Sequence, residues 1–150
     1  MEQARPIVKP VKYHPVFYEH LYFIHLGQKQ NSREGIRQYR QKGQPEPSLI
    51  NRFSRISEAF SQAKDLDAVE QLIEMHENLV AAYLEIPKAK TLHFPDFWGS
   101  IKSLGAWGGD FVLATSKRPA SDTLAYFKER GFVTILPYRD MILSSVMDAE

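Results

Sequence analysis

The stretch Ile101 to Ser116, IKSLGAWGGDFVLATS, sets three glycines, Gly105, Gly108 and Gly109, between two apolar runs of strand-like composition. Glycine has no Cβ, so backbone at such positions can take positive φ and turn amide N–H groups toward an anion such as phosphate. The same pattern also suits a plain strand-to-strand turn with a close backbone approach. No helix follows the glycines, because Phe111 to Thr115 reads as a buried strand, and Lys102 stands before them rather than after. Neither the strand-loop-helix dinucleotide fingerprint nor the Walker A pattern is therefore met.

Two further groups could meet a ligand. Lys29, Asn31, Ser32 and Arg33 cluster where a strand gives way to a helix, and there main-chain N–H groups and a cationic pair can hold an anion. The plain alternative is helix capping with solvated charges. His76 falls on an apolar helical stripe and is followed by Asn78; a boundary histidine and a cleft-lining one both fit that position. Other chemistry finds no support. His14, His20, His25 and His93 lack the spacing that puts two imidazoles on one helix face, so no metal site is expected. No serine sits in a Gly-x-Ser-x-Gly elbow.

The 150 residues make one ordinary domain, with 43% hydrophobic and 25% charged residues and a formal net charge of +1. Glu34 lies among Arg33, Arg37, Arg40 and Lys42, and the near-zero net charge points to neither nucleic acid nor an anionic membrane. There is no cysteine, hence no disulfide or thiolate chemistry. No apolar run approaches the roughly 20 residues of a membrane helix, and MEQARPIVK lacks a signal peptide's apolar centre. The reading is a soluble, cytoplasmic protein.

The elements that must position these residues follow from periodicity. Ile7–Tyr13 and His20–Leu26 read as strands, with Pro10 placing the first at an edge. A helix capped by Asn31 or Ser32 runs to Tyr39, a second carries Ile50, Phe53, Ile56, Phe60 and Ala63 at helical spacing, and a third, capped by Asp65 or Asp67, runs to Leu84 before Pro87. Strands at Ser100–Leu104 and Phe111–Thr115 flank the glycines. A helix over Ala120–Arg130 closes at Gly131, and a last strand spans Phe132–Leu136. This order predicts an α+β sandwich related to the ferredoxin-like arrangement, an antiparallel or mixed sheet with helices packed on one face. Residues 1–143 form the single domain, and 144–150 read as a disordered tail.

The strand ending Lys102, Ser103, Leu104, then GAWGGD, then FVLAT resembles the third motif of the GHMP kinases, which include galactokinase, homoserine kinase, mevalonate kinase and phosphomevalonate kinase. LYFIHLGQKQNSREGI (Leu21 to Ile36) and IKSLGAWGGDFVLAT look like a mevalonate-kinase-like bacterial subgroup named for a Gly-Tyr-Asp-Ile-Ala signature, and the resemblance spans nearly the whole chain. It implies a ferredoxin-like C-terminal domain whose glycine turn packs against the phosphate loop of an N-terminal half. Gly105, Gly108 and Gly109 would support that loop, Lys102 and Ser103 would orient the turn, and Ser32, Arg33, His76 and Asn78 would line the acceptor cleft. The parent kinase would use ATP and Mg2+ to phosphorylate a small alcohol or phosphate acceptor.

The family's phosphate loop, Pro-x-x-x-Gly-Leu-x-Ser-Ser-Ala, and the signature bearing its catalytic aspartate are absent from these 150 residues. The resemblance thus implies a substrate-side half with no catalytic residue of its own, no tight ATP binding alone, and an N-terminal kinase half as partner. The family has another glycine where Trp107 stands and often glycine at Asp110. A carboxylate there repels phosphate unless a metal intervenes, and Trp107 is expected to pack over the turn or lie exposed. The rival reading is a non-enzymatic ferredoxin-like module that binds a small ligand or forms a homodimer.

Overall fold

A computed structural model describes residues 5–27, 32–105 and 110–142. Four strands, β1 (Leu21–His25), β2 (Ile101–Ser103), β3 (Phe111–Thr115) and β4 (Ile135–Pro137), form one antiparallel sheet in the order β2-β3-β1-β4. Leu21 pairs with Thr115 and His25 with Phe111, while Ile24 pairs with Ile135 and Ser103 with Val112. The helices are α1 (Ser32–Gln41), α2 (Pro47–Gln62), α3 (Leu66–Leu84), α4 (Ala89–His93), α5 (Ala120–Glu129) and α6 (Tyr138–Met141), and a 3-10 turn at Tyr18–His20 precedes β1.

Helices cover both faces of the sheet, not the single face the element order suggested. Successive side chains of a strand point to opposite faces. Tyr22, Ile24, Val112 and Ala114 pack with Phe94, Phe97, Tyr126 and Phe127, from α5 and the segment after α4. Leu21 and Leu113 pack instead with Leu66, Val69 and Ile73 of α3 and with Tyr138 of α6. Residues 21–24 of β1 are all buried, as a strand covered on both sides requires. Burying this much aromatic and aliphatic surface, at about 25 cal/mol per Å2, is what holds the layers together. On the α5 side the rings meet edge-on; Phe94 and Phe127 lie 5.1 Å apart at 87°.

Two predicted strands changed. Among the described residues, 7–13 pair with no strand and form no helix or strand, with Ile7 87% and Val8 82% exposed. Pro6, Pro10 and Pro15 carry no N–H, which weakens any ladder built from this segment. The last strand begins at Ile135 rather than Phe132 because Gly131, at φ +87°, and Phe132 close α5 through bonds to the Lys128 and Phe127 carbonyls. The tail 144–150 lies outside the described residues.

Candidate functional site

The site is built on α3. Asp65 caps it, its Oδ1 accepting the Ala68 N–H at 2.8 Å, and Glu85 ends it in the left-handed region at φ 55°. Leu66, Val69, Ile73, Glu77 and Val80 recur at intervals of three and four, so they share the face turned to the sheet. One of the five is a carboxylate. Glu77 is only 4% exposed, in a position the apolar pattern reserves for an aliphatic side chain.

What satisfies Glu77 is the end of β2. Its Oε1 accepts both the Ser103 backbone N–H at 3.0 Å and the Ser103 hydroxyl at 2.8 Å, and His76 Nδ1 lies 3.4 Å from the same oxygen. Lys102 donates to the Ser103 carbonyl at 3.1 Å; burial pushes its ammonium below the usual lysine range, partly countered by the charge of Glu77. Hydrogen bonds to an ionised acceptor are the stronger kind, so α3 and the β2 terminus are pinned together here.

The glycine turn leaves from this pin. Gly105 takes φ +63°, and a Cβ there would meet open space, so backbone conformation rather than crowding calls for glycine. At the far side of the turn the Leu26 N–H donates to the Asp110 carbonyl at 2.7 Å, fastening the returning chain to the extension of β1. Trp107, Gly108 and Gly109 lie outside the described residues. Lys102 and Ser103 thus sit in one chain of contacts with Glu77, and Gly105 follows two residues along the chain. The Ser103 donors go to Glu77 and the Lys102 ammonium to a carbonyl, which fits them for holding the turn in place. Direct phosphate contact is not what these bonds provide.

The residues expected to line an acceptor cleft are placed separately. His76, partly buried, stands 5.6 Å from the Phe53 ring and lines a cleft of about 1220 Å3 between α2 and α3, with Leu49, Ile50, Val80 and Tyr83. Asn78 is exposed and hydrogen-bonds Glu74 one turn back. Ser32 opens α1. Arg33 is exposed, about 9 Å along the helix axis from Tyr39, the α1 residue that reaches the cleft. Lys29 and Asn31 lie outside the described residues. Among the candidates, His76 joins the glycine-turn group, through Glu77. Glu77 itself escaped sequence reasoning; the signal was a carboxylate within an apolar stripe.

Among the described residues no cluster of three or more His, Cys, Asp or Glu can hold a metal ion, and no helix is long and apolar enough to cross a membrane. Compared with protein-family models and with characterised proteins, the chain matches none.

Proposed function

We propose that this chain is the substrate-side, C-terminal domain of an ATP-dependent GHMP-type kinase resembling mevalonate or phosphomevalonate kinase. The observation that carries the reading is the double hydrogen bond from Ser103 to Glu77, which braces the strand leading into the glycine turn. Strand pairing adds support: β1 and β2 both run antiparallel to β3 between them, and β3 and β4 both run antiparallel to β1. In this reading the two crossovers correspond to the split β-α-β units of a ferredoxin-like plan, with extra helices on the second face.

In this reading the γ-phosphate is handled by a phosphate loop and a catalytic carboxylate on another polypeptide segment. ATP and Mg2+, held there, supply the transferable group and its charge neutralisation. This chain's share is positional. Glu77, Ser103 and Lys102 fix the glycine turn against that loop, and His76 faces the acceptor cleft. The test joins the chain to a GHMP half that carries the loop and measures transfer to small alcohol and phosphate acceptors. Glu77→Ala should lower kcat about tenfold or more and Glu77→Gln much less, as expected for positioning. A joined protein that transfers no phosphate to any acceptor counts against the reading.

The rival, a ligand-binding or homodimeric module, is favoured by the size of the cleft beside His76 and by Ile7 and Ile50 exposed on its rim. Sedimentation equilibrium separates the two, since a stable symmetric dimer of the isolated chain supports the module.

A further inference from the structure

A second cleft, of about 610 Å3, lies at the opposite end of the sheet from the glycine turn. It is lined by Tyr18, His20 and Tyr22 beside the start of β1, by Lys117 and Arg118 after β3, and by Arg139 of α6. The register fixes this separation, because Leu21 pairs with Thr115 here while His25 pairs with Phe111 at the turn's end. We propose that this cleft binds the phosphate group of a small molecule.

Two guanidiniums carry the case. Arg118 lies 4.0 Å over the Trp98 ring, and Arg139 donates to the Tyr18 hydroxyl at 2.8 Å with its guanidinium 5.3 Å from that ring. Stacked arginines are held in place without spending all of their five donors, so a planar fork stays available for an oxyanion at a reduced entropic cost. Among the described residues neither has a carboxylate within bridging distance, whereas Arg37 and Arg130 are each bridged, to Glu34 and Asp96. Lys117 adds a third positive charge, shared with Asp67 and Glu70.

The remaining groups agree with that class of ligand. His20 Nδ1 donates to the Ser116 carbonyl at 2.8 Å, which fixes the orientation of that ring in the wall of the cleft. Glu19 and Asp140 on the rim, with Asp67 and Glu70 on Lys117, outnumber the three cations, so recognition rests on the two guanidinium forks and not on a net positive field. The volume suits a small molecule rather than a macromolecular partner. Nothing in this proposal depends on the glycine turn, and either reading can fail without the other.

The test is a titration of the full chain with inorganic pyrophosphate, followed by 1H–15N spectra that include the arginine Nε–H signals, against sodium chloride at matched ionic strength. Saturable shifts at Arg118 and Arg139, weakened about tenfold or more in each of Arg118→Gln and Arg139→Gln and unchanged in Arg130→Gln, support the site. No saturable shift up to about 10 mM, or an affinity retained in the double variant, overturns it. Shifts confined to the glycine turn would do the same.

Discussion

Ser103 presents its backbone N–H and its hydroxyl to a single oxygen of Glu77, and that carboxylate is 96% withdrawn from solvent on the apolar face of α3. A charge there is tolerated because two donors and the nearby Lys102 compensate it. Removing the carboxylate leaves both donors buried without an acceptor. Glu77→Ala should therefore cost about 2–4 kcal/mol in chemical denaturation, while Glu77→Gln, which keeps one carbonyl oxygen in place, should cost about 1 kcal/mol. Equal losses in the two variants would mean that packing, not hydrogen bonding, is what the residue contributes.

Lys102 offers a pH-dependent counterpart. Burial lowers its folded pKa below the unfolded value near 10.5, with Glu77 acting in the opposite direction. Between those two values the unfolded chain binds more protons than the folded one, so this residue's contribution rises with pH through that window and declines as pH falls through the folded pKa. Lys102→Met should remove that slope and leave stability at neutral pH within about 1 kcal/mol of the parent. Denaturation curves collected from pH 7 to 11 on both proteins read the difference.

Tyr126 bends the profile the other way at high pH. Its hydroxyl donates to Asp96 Oδ1 at 2.6 Å while the Arg130 guanidinium sits 3.6 Å from its ring. Burial first, and the bond to Asp96 second, push its pKa to about 12. Because the folded value lies above the unfolded 10.0, the stabilisation is complete below pH 10 and is lost as pH rises toward 12. Burial also raises Tyr13, Tyr22 and Tyr138, so ultraviolet tyrosinate titration should show several tyrosines ionising late, with Tyr126 as the last phase. Tyr126→Phe should abolish that phase and raise the Asp96 pKa, since the Tyr126 bond is the chief cause holding it low.

Gly99 and Gly27 separate two reasons for glycine. A Cβ on Gly99 would fall 1.7 Å from the Thr115 carbonyl oxygen, backbone that cannot swing aside, so Gly99→Ala should cost about 3 kcal/mol or more. Gly27 has open space but φ +72°, and Gly27→Ala should cost only about 1 kcal/mol. Thermal unfolding of the two variants orders them.

Much of this architecture was legible from periodicity. The α3 stripe, a cap at Asp65 or Asp67, of which Asp65 is the one used, and the β3 limits Phe111–Thr115 follow from apolar spacing and turn residues. Two-sided burial of the sheet was written in LYFIHL, apolar at five of six positions where a one-sided strand alternates, but element order alone suggested one covered face. The residues 7–13 misled because β-branched composition is a local signal, whereas pairing needs a partner edge and free N–H groups. Helices α4 and α6 are too short to show a period. Glu77 stayed hidden since its partner Ser103 is 26 residues away, and no local pattern encodes that contact.

In the proposed kinase reading, this domain braces a glycine turn for a nucleotide site completed on another segment. Calorimetric titration with Mg-ATP tests it most directly, on the chain alone and on the chain joined to a phosphate-loop half. The account predicts no binding stronger than about 1 mM by the chain alone and micromolar binding by the joined protein. Micromolar Mg-ATP binding by the isolated chain would contradict it.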